Sequence, residues 1–296
     1  MKRREFIKKS ALTASAVYLS PVLAYPASSG KNLVARVTGE SPYDITKRSV
    51  EMLGGMKEII SKQDIVMIKP NIGWNRKVEQ AANTNPEVLR AIIEMVFDAG
   101  AKKVIVMDNP CHKAEDTYRR SGIKAVVEKS GADLRYTDEN RLVIHNFKGE
   151  KLKKWPVFKD FLEVDKFINV PILKHHASAG LTIGMKNLYG IIGGRRGKLH
   201  RNMGENIADL AKGFKTHLTI IDAYRILKKN GPVGGRLSDV ELKKTIICSR
   251  NILEGDVVAV DLFGKKIEDV PFIEAAFKRG MGEKDITKIN LKSLNI

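Results

Sequence analysis

Asp64-Ile-Val-Met-Ile-Lys69, then Asn85-Pro86 leading to Gly100, then Lys103-Val-Ile-Val-Met107, is the stretch that decides the fold. The first and last segments are compact apolar runs of strand length. Between them Leu89, Ile92, Ile93, Val96 and Phe97 recur at helical spacing. Asn85 can cap such a helix, Pro86 suits its first turn, and Gly100 ends it. Strand, helix, strand in this order predicts a right-handed βαβ unit in a parallel sheet.

The same alternation continues outward. Leu33 to Val37 reads as a strand, and Tyr43 to Ile60 as a helix interrupted at Gly54-Gly55. Downstream, Ile123 to Lys129 reads as a helix and Asp133 to Tyr136 as a short strand. Arg141 to Trp155 reads as a polar hairpin. Phe167 to Val170, Leu218 to Ile221 and Thr245 to Cys248 read as strands. Asn206 to Phe214, Asp256 to Phe263 and Pro271 to Phe277 read as helices. The expected fold is α/β: a mainly parallel sheet flanked by helices, as one large domain or two closely packed lobes. The reading places an N-terminal βαβ lobe at 25–140 and a C-terminal α/β lobe with a Gly-rich Lys/His loop at 141–296.

Residues 1–24 read as a leader. Lys2-Arg3-Arg4-Glu5-Phe6-Ile7-Lys8-Lys9 precedes a mostly apolar stretch from Ala11 to Ala24. That stretch is too short for a membrane span. Val22-Leu-Ala24 offers a cleavage site. Paired arginines followed by a bulky apolar pair resemble a twin-arginine export signal. An ordinary basic signal peptide and an uncleaved anchor are the alternatives. The expected location is periplasmic or otherwise extracytoplasmic, with no stable membrane span after cleavage.

The chain carries a formal net charge of +18 over 296 residues. The leader contributes five basic residues and one acid, a net of +4, which leaves +14. This surplus favours anionic partners. The basic residues are dispersed and accompany no helix-turn-helix or aromatic RNA-binding signature, which argues against nucleic acid. The two cysteines, Cys111 and Cys248, cannot ligate an iron–sulfur cluster unaided. Cys248 sits in an apolar run and reads as a core thiol; a disulfide between the two remains open.

In an open parallel sheet, ligands bind beyond the carboxyl ends of the strands. Lys69-Pro70-Asn71, Asp108-Asn109-Pro110, Lys174-His175-His176 and Asp222 all read as lying at such ends. The densest stretch is Lys174 to His200. Its glycines, Gly193 and Gly194 among them, let backbone N–H groups approach a ligand, and Lys174, Lys186, Arg195, Arg196 and Lys198 add positive charge. The expected ligand is a small anion, with Lys69, Asn71, Asn109, Lys174, Asn187, Gly193, Gly194 and Arg195 as binding candidates. No nucleotide-loop pattern matches. His175 and His200 are metal-ligand candidates, and an anion or backbone partner is the competing reading. Lys186, His176, Asp108 and Asp222 are candidates for acid–base or catalytic work. Asn230 to Gly235 is a turn-rich lid or connection. Asp261 stands inside an apolar run as a potentially buried acid.

Lys69-Pro-Asn, Thr84-Asn-Pro, Asp108-Asn-Pro, Asn169-Val-Pro-Ile-Leu-Lys-His175, Gly184-Met-Lys-Asn-Leu-Tyr-Gly190, His200, Asp222-Ala and Asn230-Gly-Pro together resemble the family called domain of unknown function 362. Some members of that family carry an added ferredoxin-type module, for which this chain lacks the cysteines. A fainter resemblance is to the lactate racemase family, in the order of Pro86, Gly100, Asp108, His176, Gly184, Lys186 and His200. That resemblance implies an α/β fold and a nickel pincer cofactor, with Lys186 as its tether, His200 on nickel and His176 as an acid–base group. The Asp108-Asn-Pro turn departs from that family's Gly-Thr-His type. The functions expected are an exported enzyme acting on a small anion, possible metal assistance included, or a non-catalytic carrier of an anion or cofactor. An accessory subunit docking an iron–sulfur redox partner is a third.

Overall fold

The computed structural model describes residues 33–296. Apolar residues of the opening unit sort to two faces at a period of two, as a doubly covered strand requires. Val66 and Ile68 face one core, and Met67 faces the other.

In chain order the elements are β1 (Leu33–Thr38), α1 (Pro42–Glu51), β2 (Ile65–Pro70), α2 (Pro86–Asp98) and β3 (Lys103–Met107). Then come α3 (Ala114–Arg120), α4 (Ile123–Lys129), β4 (Asp133–Arg135), β5 (Leu142–Asn146) and β6 (Lys154–Phe158). The second half holds β7 (Lys166–Val170), β8 (Ile172–His176), β9 (Gly180–Thr182), α5 (Gly184–Asn187) and α6 (Met203–Gly213). It ends with β10 (Leu218–Leu227), β11 (Val240–Ser249), α7 (Ile252–Phe263), α8 (Pro271–Lys278) and β12 (Asn290–Asn295).

One sheet runs β12-β1-β11-β10-β7-β2-β3-β4, with β8 and β9 branching from β10, so it has ten strands; β5 and β6 form a separate hairpin. The β7-β2-β3-β4 pairings are parallel, as are β10-β7 and β1-β12, whereas β11 is antiparallel to both β1 and β10. Strand β7 lies beyond residue 140 yet pairs directly with β2, so the two halves share one sheet. Helices α1, α2 and α4 cover one face, and α5 to α8 cover the other.

The expected caps form. Asn85 accepts from the Glu87 N–H at the start of α2, and Pro86 occupies the first turn. The helix expected over Tyr43–Ile60 stops at Glu51, because Gly54 and Gly55 both adopt positive φ.

Three expectations need correction. Lys174 to Thr182 is a β-hairpin, not a loop: Lys174 pairs with Thr182 and His176 with Gly180. Asp222 is not past a strand end. Strand β10 continues to Leu227, and the Asp222 carboxylate is buried within it, accepting from the Asn85 and Tyr224 N–H groups. Its role is to tie the start of α2 to the sheet. Asp261 is exposed and ion-paired with Arg36 at 3.7 Å, while the buried acids of that helix are Glu254 and Asp256. Cys111 is exposed and Cys248 buried, and both thiols are free.

Asp222→Ala would leave two buried N–H groups without an acceptor, at about 1–3 kcal/mol each. The melting midpoint should fall by roughly 5–10 °C in thermal unfolding. Asp222→Asn, which keeps one acceptor, should lie between. An unchanged midpoint in both variants would refute this structural role.

Candidate functional site: a lysine-lined cavity at the strand ends

The carboxyl ends of β2 and β3 open onto a cavity of about 360 Å³. Lys69, the penultimate residue of β2, is fully buried. Its Nζ donates to the Pro70 carbonyl at 3.0 Å and lies 2.7 Å from Asp108 Oδ1. Asp108 follows β3 directly. Its other oxygen accepts from the Ile72 N–H at 2.7 Å, and its backbone N–H and carbonyl are both held by the Tyr118 hydroxyl. Gly190 roofs this pair so closely that a Cβ there would stand 1.9 Å from Asp108 Oδ1 and 2.4 Å from Lys69 Cε. Burial lowers the Lys69 pKa, and the Asp108 charge opposes that shift.

Lys174 is held by amides. Its Nζ donates to Asn71 Oδ1 at 2.9 Å and to the Ala82 carbonyl at 2.5 Å. Asn71 Nδ2 donates to Asn187 Oδ1 at 2.9 Å. Asn187 Nδ2 in turn donates to Asn169 Oδ1 at 2.9 Å, and Asn169 Nδ2 to the Gly184 carbonyl at 2.9 Å. The chain ends on Asp256 of α7, which accepts from Gly184 N–H at 2.6 Å and Met185 N–H at 2.9 Å. Thus α5, which carries Lys186 and Asn187, is gripped at its first two residues by a buried carboxylate. Burial pushes that carboxyl up to about 8.

Strand periodicity decides which histidine faces the cavity. Lys174 and His176 share one face of β8, with Thr182 opposite on β9, and all three line the cavity. His175 points the other way, its Nδ1 3.3 Å from the Gly231 carbonyl. His176 Nδ1 receives the N–H groups of Ser178 and Ala179 at 3.3 and 3.2 Å. A ring nitrogen that accepts two N–H groups carries no proton, so the neutral ring holds its proton on Nε2. Burial, then Lys186 and Lys174, push the His176 pKa down to about 3, so the ring stays neutral. His176 therefore presents a fixed N–H donor.

The cationic wall is completed by Lys186 and Arg196. Lys186 Nζ lies 4.0 Å over the Tyr189 ring. Arg196 donates to the carbonyls of Asn109, Tyr189 and Pro110 at 3.1–3.3 Å. Burial is the main cause that lowers Lys174 to about 7 and Lys186 to about 8, partly offset by Cys111 and Asp108. Among the described residues, no carboxylate lies within ion-pair distance of Lys174, Lys186 or Arg196. His200 sits on the exposed rim, its Nδ1 3.2 Å from the Gly197 carbonyl. Cys111, Trp74 and Pro232 complete the lining, so the Asn230–Gly235 turn reaches the cavity edge through Pro232.

Of the residues expected from sequence, Lys69, Asn71, Asp108, Asn109, Lys174, His176, Lys186, Asn187 and His200 converge here. Asp222, His175, Gly193, Gly194 and Arg195 lie outside the lining. Gly193 is tied to the β5–β6 hairpin: its N–H donates to the Pro156 carbonyl at 3.0 Å, and its carbonyl accepts from Trp155 Nε1 at 3.0 Å. Trp74 and Tyr189 join the lining without a signal in the sequence, and Arg196, not Arg195, is the arginine that lines the cavity. Asn169 had one legible signal, a lone amide inside an apolar strand.

The sequence between β2 and α7 matches the family model described as Domain of unknown function (DUF362), over residues 66–261. The chain belongs to the DUF362 family. A curated relative, the thylakoid-associated protein sll1697 of Synechocystis sp., is 27% identical over 247 residues, covering 78% of this chain and 73% of the relative. Two solved structures are more distantly alike. The lactate racemase apoprotein of Thermoanaerobacterium thermosaccharolyticum has a TM-score of 0.39 at 14% identity, covering 65% of this chain and 50% of its own. A structural-genomics protein of Thermotoga maritima has a TM-score of 0.41 at 10% identity, covering 81% and 60%. This DUF362 chain thus spans half to three fifths of the solved chains, and at these scores neither likeness bears on its chemistry.

A metal centre built from side chains does not fit this DUF362 cavity. Among the described residues no group of three or more His, Cys, Asp or Glu is placed to hold a metal ion. A ligating histidine normally donates its other N–H to an acceptor. The second nitrogen of His176 faces donors instead, and His175 is turned away. For the nickel cofactor implied by the racemase resemblance, the cavity offers one rim imidazole, His200.

Gly190→Ala must displace Lys69 or Asp108, and overpacking at such a site costs about 1–3 kcal/mol. Denaturant unfolding should register that loss. Stability equal to the wild type would mean that the pair is not held as described.

Proposed function

We propose that this protein is exported and that its cavity binds a small, multiply charged anion, as the substrate of an enzyme. One observation carries the reading: three lysines and an arginine converge on a cavity whose single carboxylate, Asp108, is already committed to Lys69. A concave site with that excess of cations lowers the free energy of an anion through charge-assisted hydrogen bonds, worth about 1.5–3 kcal/mol each. The fixed Nε2–H of His176 adds a neutral donor suited to a carbonyl or oxyanion.

Sulfate is a suitable probe because it stays dianionic across the useful pH range. Lys174 and Lys186 carry charge below about 7 and about 8 respectively. Sulfate affinity should therefore fall as pH rises from about 6 to about 9, because the binding cations lose their protons. Lys186→Ala should weaken it at least ~10-fold at the low end, with folding retained. Calorimetric titration measures both. Affinity that is flat with pH, or untouched in Lys186→Ala, would remove this cavity as the anion site.

Export rests on the leader, residues 1–24, which lies outside the described residues. Among the described residues no helix is long and apolar enough to cross a membrane. The reading is the twin-arginine route with cleavage after Ala24. Replacing Arg3 and Arg4 together by lysine should leave the precursor in the cytoplasm, as cell fractionation would show. Undiminished export of that variant would assign the leader to another route.

A further inference from the structure

The cavity's cations are not equivalent. Lys69 is paired with Asp108, Lys174 donates to Asn71 and Ala82, and Arg196 donates to three carbonyls. Among the described residues, Lys186 Nζ makes no hydrogen bond or ion pair; its neighbour is the Tyr189 ring face. Its backbone is the best anchored of all, because Asp256 holds the two residues before it and Asn187 after it is locked between Asn71 and Asn169. A rigidly placed amine with uncommitted hydrogens, facing a cavity that also offers the His176 Nε2–H, is arranged for covalent addition.

We propose that Lys186 condenses with the aldehyde or ketone group of a small dianion, forming an imine in the cavity while His176 donates to the departing carbonyl oxygen. This rests on the anion-binding reading and names the substrate class. The amine nitrogen bonds to the carbonyl carbon. The carbonyl oxygen takes both amine protons and leaves as water, so the exchange of a C=O for a C=N needs no oxidant or reductant. Burial beside other cations lowers Lys186 to about 8, which leaves a working fraction of free amine near neutrality. Two further positive groups, Lys174 and Arg196, lack a carboxylate among the described residues and match the two negative charges of the ligand.

Reductive trapping tests this. The mature chain is incubated with cyanoborohydride and either 2-oxoglutarate or pyridoxal 5′-phosphate, then analysed by intact mass and peptide mapping, with calorimetry run in parallel. The expected result is one adduct per chain on Lys186 with at least one probe, absent in Lys186→Arg and suppressed several-fold by excess sulfate. His176→Phe should slow trapping several-fold while sulfate still binds. Binding of either probe without an adduct on Lys186 overturns the imine and leaves the anion reading standing. So does label on Lys174 or scattered over surface lysines. If sulfate binds and neither carbonyl probe does, the substrate class is wrong. If sulfate does not bind either, the anion reading falls with it.

Discussion

The contact between Lys69 and Asp108 is the constraint around which the carboxyl end of the sheet is built. A buried ion pair is stable only when the remaining hydrogen-bonding capacity of both partners is met, and removing one partner costs about 3–5 kcal/mol. Here the Pro70 carbonyl accepts from Lys69 and the Ile72 N–H donates to the Asp108 carboxylate, while the Tyr118 hydroxyl fixes the Asp108 backbone and the bare Gly190 leaves room for the pair. Two adjacent parallel strands are thereby locked at their ends, and the segment that follows α5 is forced to pass directly over them. The position of the cavity follows from that passage.

Next to this satisfied pair stand cations without counterions. Their neighbours are uncharged: an amide and a carbonyl for Lys174, an aromatic ring for Lys186 and three backbone carbonyls for Arg196. Asn71, Asn187 and Asn169 form a continuous relay from Lys174 to the start of α5. Amide side chains supply hydrogen bonds without charge and do not titrate. Where the relay reaches the backbone it ends on Asp256 of α7, which lies outside the cavity lining.

How much of this was legible in the sequence depended on the range of the interaction. The β2–α2–β3 unit was read correctly because its signals are local: a cap at Asn85, a proline at the first turn, a terminating glycine at position 100. The family membership was legible in the ordered motifs. The hairpin at 172–182 was not, because glycines and paired histidines carry weak strand propensity and its pairing with β10 is remote in sequence. Asp222 was placed past a strand end for a similar reason. A carboxylate in mid-sheet looks like a terminus until the two N–H groups that satisfy it, one of them 137 residues away, are known. For the same reason Asp261 reads from the sequence as the buried acid of α7, whereas Glu254 and Asp256 are the buried ones, each accepting from a remote backbone N–H.

The distinction between His175 and His176 shows what chemistry a fold can impose on identical side chains. One residue of strand register sends the first towards Gly231 and the second into the cavity. The tight β8–β9 turn then supplies two N–H groups to His176 Nδ1. That single local feature fixes the tautomer, and burial, reinforced by the neighbouring lysines, keeps the ring from charging. An imidazole of ordinary pKa would be an acid, a base or a ligand. In this setting burial and the accepted N–H groups favour a neutral ring with its proton on Nε2, a hydrogen-bond donor set among cations that respond to pH. This division between fixed amide and imidazole dipoles and titrating lysines is the feature from which both the proposed anion binding and the proposed imine at Lys186 are argued.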